Sequence, residues 1–269
     1  MSRQYSLAHL TVLGCAPPQV IEIAARCGYD YVGLRTIPLG LPGEPLYGFG
    51  DNRPLLRDTA QALKDTGVRL LDIEVAVLGE DRDVAAYERA IEDAATLGAR
   101  HVLCNAWSGD RGLIQAQFDA LCDLAAPYGV TVECEFVTFT RLPHLLDALD
   151  IVTASGRANA GVLIDTLHFG RSRVSLADLD RLPADRVHYF QLGDGAAIDD
   201  PTVEQLKATA RGERLYPGEG PTPIRQIVDR YPGRPVAVEV IHAERVRRLG
   251  YEGFATACLD HAKRCLGDL

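Results

Sequence analysis

Short apolar runs alternate with longer segments of helical period along the whole chain. The runs are rich in β-branched residues, which favour strands, and the segments place apolar residues three and four positions apart, as amphipathic helices do. The pattern predicts strands at residues 5–10, 31–35, 68–74, 101–105, 130–135, 161–165, 187–192 and 235–240. It predicts helices at residues 18–27, 53–66, 83–97, 113–126, 142–155, 175–182, 221–230 and 243–266, with the weakest pattern at 175–182.

This alternation predicts the fold class. Strands joined through helices form a parallel sheet with right-handed crossovers, and eight such units can close into a barrel. No linker or low-complexity run interrupts the series, and the longest irregular stretches, 36–51 and 193–220, both follow strands. The sequence therefore predicts an α/β protein, a (β/α)8 TIM barrel that forms a single domain over residues 1–269.

Composition and charge narrow the function classes. The 269 residues are 47% hydrophobic, enough for one large core, and the net charge of -9 argues against wholesale binding to nucleic acid or anionic membranes. No apolar stretch approaches the ~20 residues that cross a bilayer, and the first residues lack a signal peptide's apolar core, so we expect a cytoplasmic protein. Seven cysteines without CxxC spacing predict neither a disulfide framework nor a structural zinc site.

Polar residues mark the end of every predicted strand, which is where the active site of an α/β barrel lies. In strand order they are His9, Arg35, Glu74, Asn105, Glu133 and Glu135, Asp165 and His168, Gln191 and Asp194, and Glu239 and His242. Asp165 and His168 alone fit a turn or packing at the rim as well as a site, since Asp favours turns. Polar groups converging from eight strands favour the site.

Crowded carboxylates suggest a metal. Glu135, Asp165 and Glu239 would repel one another in a partly dehydrated pocket, and a divalent cation removes that repulsion. Oxygen ligands favour Mg²⁺ or Mn²⁺, with Zn²⁺ or Co²⁺ as the second choice. The alternative is a buried ion-pair network with Arg35 and Arg214.

Five motifs then carry a family resemblance: VECEF after strand five, DTLH after strand six, QLGD after strand seven, PGEG in the next loop, and VEV in strand eight. Over essentially the whole chain, this combination resembles the sugar phosphate isomerase/epimerase superfamily with the xylose-isomerase-like barrel. The metal ligands that the resemblance implies are Glu135, Asp165, Gln191 and Glu239. Glu133, one pleat deeper on the same face of strand five, is the competing first ligand.

Two positions depart from the usual pattern of the superfamily. Many relatives place a histidine at the position of Gln191, and some 3-dehydroshikimate dehydratases share the departure. Many also place a histidine at the position of Val137. The resemblance therefore leaves the dehydratase branch open beside the isomerases and epimerases, and it implies a homodimer only because relatives often dimerise.

The activity that these residues suggest is enolisation of a small hydroxy-ketone, sugar or sugar-like, assisted by one divalent metal ion. Glu135 and Glu239 are the expected acid and base, and His168 is a proton carrier or a group that polarises the carbonyl. The residues expected to contact substrate are Arg35, Glu74, Asn105, His168, Asp194 and Arg214. The runner-up is a metal-dependent dehydratase, and a non-catalytic sugar-binding or partner subunit is the third alternative.

Overall fold

Eight parallel strands close into a barrel in the computed structural model, which describes residues 3–39 and 44–269. The strands are β1 (Tyr5–Leu7), β2 (Tyr31–Arg35), β3 (Arg69–Leu78), β4 (His101–Ala106), β5 (Thr131–Glu135), β6 (Ala160–Asp165), β7 (Phe190–Leu192) and β8 (Val236–Val238). Each strand pairs with the next along the chain, and β8 pairs with β1. The predicted (β/α)8 barrel is confirmed.

Helices lie between the strands. They are α1 (Pro17–Cys27), α2 (Arg53–Thr66), α3 (Glu88–Thr96), α4 (Arg111–Ala125), α5 (Leu145–Ser155), α6 (Thr166–Arg171), α7 (Val203–Gly212), α8 (Ile224–Val228) and α9 (Ala243–Leu266). Local sequence defines their ends: Asp110 Oδ1 accepts hydrogen bonds from the amides of Gly112 and Leu113 at the start of α4, and Gly28, at φ 85°, ends α1. Within the described ranges, no helix is long and apolar enough to cross a membrane.

Three elements differ from the predictions. Residues 175–182 contain only a 3₁₀ turn, Asp178–Arg181, and the helix after β6 is instead the short α6. Helix α7 occupies part of the stretch 193–220, which was predicted to be irregular. Strand β3 continues past Glu74 to Leu78, so Glu74 lies inside the strand and not at its end. Apolar residues 75–78 continue the strand where the prediction ended it at the charged residue.

The core has two unequal layers. A large one fills the space between the barrel and its helices, and a small one inside the barrel consists of Ala8, Tyr31, Leu71, Val75, Leu103, Leu163, Tyr189 and Ala237. Each fully buried valine, leucine, isoleucine or phenylalanine side chain in these layers contributes roughly 1.5–3 kcal/mol. Buried acids and histidines occupy the rest of the barrel interior, on both sides of the small layer.

Candidate active site

A cavity of about 270 Å³ lies at the carboxyl end of the barrel. Eight of the predicted site residues line it: Arg35, Glu74, Asn105, Glu135, His168, Gln191, Arg214 and Glu239. Apolar side chains form the remaining wall, among them Leu10, Leu13 and Phe139. A concave, mostly apolar space with a few converging polar groups is the usual form of a small-molecule site.

Arg214 lies among the acids. It is 3% exposed, its Nη1 donates to Asp165 Oδ2 at 2.8 Å, and its Nη2 lies 2.7 Å from Glu239 Oε2. Nε donates to the carbonyl of Ala210 at 3.1 Å, which anchors the guanidinium to α7. The buried ion-pair network that is the alternative to a metal site is therefore present in part.

Asp165 has two tasks at the junction of β6 and α6. Its Oδ1 accepts hydrogen bonds from the amides of Leu167 at 2.7 Å and His168 at 3.4 Å, so it caps α6, while Oδ2 receives Arg214. Burial alone would raise the pKa of Asp165. The pKa nevertheless lies below its ordinary value because of Arg214 and these hydrogen bonds. A turn and a site were the two alternatives for DTLH. The two are compatible, because one oxygen of Asp165 caps the helix and the other faces Arg214.

Glu135 completes a second contact group with Asp165 and His168. One ligand atom from each of these three residues lies within 4.8 Å of the other two, and all three residues are buried. Asn105 Nδ2 donates to Glu135 Oε2 at 3.5 Å. Burial and the neighbouring Asp165 and Glu239 carboxylates hold the pKa of Glu135 well above its ordinary value. The charge of this carboxylate is thus poorly compensated by the protein.

Gln191 presents an unused acceptor to the same region. Its Nε2 donates to Glu74 Oε1 at 3.3 Å and to Glu239 Oε1 at 3.4 Å. Its Oε1 is buried and has no hydrogen-bond partner among the residues that the structure describes. Burial, with Glu74 and Asp165 nearby, raises the pKa of Glu239 to about 8, although Arg214 acts in the opposite direction.

These donors fit a divalent cation. In the described part of the chain, Arg35 pairs with Glu74 and Glu44, Arg214 pairs with Asp165 and Glu239, and Glu135 has no ion-pair partner, so the acids outnumber the guanidinium groups. A carboxylate has about four lone-pair sites, so Asp165 can keep its hydrogen bonds and still ligate. The unpartnered Gln191 Oε1 adds a neutral oxygen. This donor set suits Mg²⁺ or Mn²⁺, and His168 beside it also suits Zn²⁺ or Co²⁺.

His168 is held as a neutral imidazole. Its Nδ1 accepts a hydrogen bond from the amide of Thr138 at 3.4 Å and lies 3.1 Å from the Thr138 hydroxyl. Burial lowers the pKa of His168 to about 4, with Arg214 contributing, although Asp165 opposes the shift. The imidazole therefore meets a substrate uncharged at neutral pH.

Arg35 and Glu74 form the opposite wall of the cavity. Arg35 Nε lies 3.7 Å from Glu74 Oε2, and the Arg35 amide donates to His9 Nδ1 at 2.8 Å. Because Nδ1 accepts, His9 carries its proton on Nε2, which lies 2.9 Å from the carbonyl of Cys15. His9, expected at a strand end, thus supports the backbone of Arg35 and does not line the cavity.

Asp194 does not join the other predicted substrate contacts. Its Oδ2 accepts hydrogen bonds from the amides of Gly218 at 3.2 Å and Gly220 at 2.9 Å, and Oδ1 accepts from Gly195 at 3.0 Å. A side chain at residue 220 would collide with the Asp194 carboxylate. The structure places Asp194 outside the cavity, where it holds the PGEG loop, because three nearby backbone amides offer their hydrogens to its oxygens.

Two aromatic residues and an arginine extend the wall. Trp107 is 40% exposed and its Nε1 donates to Asn105 Oδ1 at 2.9 Å, while its ring lies 6.1 Å from that of Phe139. Arg211, at 5.6 Å above the Phe139 ring, also lines the cavity. Sequence reasoning missed Phe139 and Arg211 because one lies in a loop and the other on the unexpected helix α7.

Glu133 lies apart from this site. Its Oε1 is 2.7 Å from His188 Nδ1 and 3.3 Å from His101 Nδ1, deeper in the barrel. Although burial opposes the shift, hydrogen bonds from the two histidines lower the pKa of Glu133 to about 2. Of the two glutamates considered for the first ligand, the structure brings Glu135 to Asp165 and Glu133 to the histidines.

The chain is similar to several known proteins in sequence and in fold. A family model described as xylose isomerase-like TIM barrel matches residues 21–259. An inosose isomerase of Bacillus velezensis is 26% identical over 219 residues, which cover 75% of this chain and 74% of the relative. The structure of the IOLI protein with a binding zinc atom has a TM-score of 0.81 at 19% identity and covers 98% of both chains.

A further structural neighbour comes from Bacillus anthracis. It is described as the probable 3-DHS dehydratase AsbF involved in petrobactin synthesis. Its TM-score is 0.73 at 13% identity, and the match covers 97% of this chain and 98% of that one. At these identities the structural matches establish a shared fold.

Proposed function

This chain belongs to the xylose isomerase-like TIM barrel family, as its strand-end motifs predicted, and we propose that it is an isomerase or epimerase of a small hydroxy-ketone. The observation that carries the proposal is that Glu135, Gln191, Glu239 and the neutral His168 line one cavity, and that the buried Asp165 approaches Glu135 and His168. The inosose isomerase relatives support a sugar-like substrate, since an inosose is such a ketone.

The proposed metal ligands are Glu135, Asp165, Gln191 and Glu239, holding Mg²⁺ or Mn²⁺, with Zn²⁺ or Co²⁺ as alternatives. When bound, a divalent cation supplies Lewis acidity that lowers the energy of an enediolate relative to its ketone. The uncompensated carboxylates and the free oxygen of Gln191 support this assignment. The zinc atom in the IOLI structure supports a divalent ion without deciding which one this chain uses.

In this proposal, Glu135 and Glu239, at opposite sides of the cavity, transfer the protons. Glu135 ends β5 and Glu239 follows β8, so their carboxylates approach a bound substrate from different directions. Burial raises the pKa of both, with the neighbouring carboxylates contributing, so each is a stronger base than an exposed glutamate. One would remove the proton beside the carbonyl, and the other would return a proton to the opposite face.

His168 and the arginines orient the substrate. Because Nδ1 accepts from the Thr138 amide, the neutral imidazole of His168 carries its proton on Nε2 and can donate it to a carbonyl oxygen, and the contacts with Thr138 fix the ring. Arg214 keeps Asp165 and Glu239 in place and presents positive charge where an oxyanion develops. Arg35, Glu74 and Asn105 offer hydrogen bonds to the hydroxyls of a polyol.

Dehydration is the second candidate. Gln191 stands where many relatives have histidine, a departure shared with some 3-dehydroshikimate dehydratases. After the same enolisation, loss of a β-hydroxyl instead of reprotonation would convert the isomerase reaction into a lyase reaction. Arg35 and Arg211 at the cavity wall would suit the carboxylate of such a substrate.

Deuterium exchange distinguishes these activities. The metal-free protein is incubated in D₂O with an inosose, D-allulose or 3-dehydroshikimate, with and without Mn²⁺. We expect Mn²⁺-dependent incorporation of deuterium beside the carbonyl of a sugar-like ketone, followed by mass spectrometry. An ultraviolet-absorbing aromatic product from 3-dehydroshikimate alone would favour the dehydratase. Absence of exchange and of product with all three ketones would contradict both.

A further inference from the structure

A second group of metal-type ligands lies at the amino-terminal end of the barrel. His101 is the first residue of β4, Glu133 lies within β5, and His188 precedes β7 by two residues. One ligand atom from each lies within 4.8 Å of the other two. We call His101, Glu133 and His188 the floor cluster. None of its members lines the cavity at the carboxyl end.

The spacing within the floor cluster is close to that of a coordination sphere. Both histidines direct Nδ1 at the same oxygen, Glu133 Oε1, at 3.3 Å from His101 and 2.7 Å from His188. Four ligands at about 2.0–2.1 Å from a tetrahedral zinc ion are separated from one another by roughly 3.3 Å. An ion could therefore enter with small side-chain adjustments. Thr131 Oγ1, 2.6 Å from His101 Nδ1, or a water molecule could complete the sphere.

The other oxygen of Glu133 is an independent sign of a missing partner. Glu133 is fully buried, and its Oε2 has no hydrogen-bond partner among residues 3–39 and 44–269. Leaving a buried acceptor unsatisfied costs about 1–3 kcal/mol, more when it is charged. The hydrogen bonds to Oε1 therefore leave the other oxygen of this carboxylate unsatisfied.

Gly161 leaves space beside the same atoms. A Cβ placed on residue 161 would collide with Glu133 Oε2 and would lie 2.6 Å from His188 Nδ1. The φ angle at this position is not one that requires glycine. The absence of a side chain on β6 thus allows two of the three ligands to approach the strand closely.

Charge inside the barrel supports a cation at this end. The buried acids of the interior are Asp72, Glu74, Glu133, Glu135, Asp165 and Glu239. Arg35 and Arg214 pair with acids at the carboxyl end. In the part of the chain that the structure describes, the ion-pair partners of Glu133 are only the two imidazoles.

We propose that the floor cluster is a second divalent-metal site that takes Zn²⁺ or a similar late transition ion and links β4, β5 and the start of β7. Two imidazoles with one carboxylate favour such ions over Mg²⁺. The side chains of His101 and His188 are 10% and 20% exposed, so the ion can enter from the amino-terminal mouth. Since Glu133 and Glu135 are two residues apart, the two sites are separated by roughly 7 Å.

Zinc stoichiometry tests the site with Zn²⁺ as the only probe. The metal-free full-length protein is brought to equilibrium with buffered Zn²⁺, and bound metal is measured by mass spectrometry. We expect two zinc ions per chain in the wild type, and one in His101→Asn and in His188→Asn. Asp165→Asn should keep the floor ion, so this arm separates the floor site from the proposed active-site metal. The matched control His261→Asn, which removes an imidazole stacked on Tyr216, should keep both.

The affinity and the location of the ion complete the test. Loss of either histidine should weaken floor-site zinc binding by more than the roughly 10–100-fold that loss of an outer partner costs. If the variants fold poorly, anomalous diffraction at the zinc edge from wild-type crystals locates the ion directly. A peak between His101, Glu133 and His188 would support the proposal. Unchanged zinc content in both variants, or no peak at that position, would overturn it.

Discussion

Glu133 and Glu135 lie one pleat apart on β5, are both buried inside the barrel, and have opposite electrostatic surroundings. Against the effect of burial, His101 and His188 lower the pKa of Glu133 to about 2. Burial and the carboxylates of Asp165 and Glu239 raise the pKa of Glu135 well above its ordinary value. One glutamate is therefore a stable anion among imidazoles, and the other tends to keep its proton because its negative charge would lack a counter-charge.

Two residues of the same type thus differ in pKa because they lie at different depths of the barrel and meet different neighbours. At the carboxyl end, the strands bring acids toward one another, and Arg214 and Arg35 are the ion-paired cations among them in the described residues. At the amino end, β4 and the segment before β7 bring His101 and His188 to Glu133 of β5. A set of poorly compensated acids suits proton transfer and the binding of hard cations, whereas one acid between two imidazoles suits a late transition ion that links strands.

Removing charge from the acids at the carboxyl end should have the largest effect. Glu239→Gln keeps the shape of the side chain but removes both its basicity and its charge, so kcat should fall about 10²–10⁴-fold. Deuterium exchange with the ketone identified for the wild type measures the loss. His261→Asn is the control and should exchange at the wild-type rate. Retention of exchange within about 3-fold in Glu239→Gln would place the acid–base group elsewhere.

Removing the counter-charge tests the same region from the other side. Arg214→Met leaves Asp165 and Glu239 buried without their guanidinium, which should cost about 3–5 kcal/mol of unfolding free energy in the metal-free protein. Urea unfolding measures this loss. Added Mn²⁺ should restore part of the unfolding free energy by binding the carboxylates that have lost their guanidinium partner. Unchanged stability in Arg214→Met would mean that the two ion pairs contribute nothing net.

A buried neutral histidine sharpens the contrast with the ion-paired histidines of the floor cluster. Burial lowers the pKa of His9 to about 4, so the unfolded chain binds more protons than the folded one between about pH 6.5 and 4. His9 should therefore remove about 3 kcal/mol of stability as pH falls through that window. Urea unfolding at several pH values should show a shallower acid loss in His9→Gln. Parallel wild-type and variant profiles would contradict the assignment.

The smallest effect is expected at the cavity edge. Trp107→Phe keeps an aromatic wall but removes the hydrogen bond to Asn105 Oδ1, which is worth about 0.5–1.5 kcal/mol. KM should rise roughly 2–10-fold while kcat stays within about 2-fold, as initial rates of ketone turnover would show. An unchanged KM would mean that the bond does not orient Asn105 for substrate.

The strand-end pattern of the sequence was sufficient for the barrel and for most of the cavity. Because parallel strands in a barrel end on one face, the strand-end positions predicted that acids of several strands meet there, and the family resemblance then selected Glu135, Asp165, Gln191 and Glu239. The prediction that Asp194 contacts substrate was wrong. Its carboxylate binds backbone amides of a loop, and the sequence pattern does not specify the path of that loop. Helix α7 was missed for a similar reason, since a polar helix in a long connection carries a weak periodic signal.

The floor cluster shows a second limit of pattern reasoning. His101 and His188 precede or begin their strands and were not grouped with Glu133, since attention to strand ends selects only one face of the barrel. Alternation along VECEF identified both glutamates as inward-facing, but alternation cannot say which residues meet each of them across the barrel. That information comes from strand register, which pairs Glu133 with Leu103 and with Gly161.

The central claim is that a divalent cation binds among the acids at the carboxyl end and is required for enolisation. Anomalous diffraction at the manganese edge, from crystals of the full chain soaked with Mn²⁺ and an inosose, tests it most directly. We expect a peak at about 2.0–2.3 Å from oxygens of Glu135, Asp165, Gln191 and Glu239. A substrate complex with no peak there, and with Arg214 still bridging Asp165 and Glu239, would contradict it.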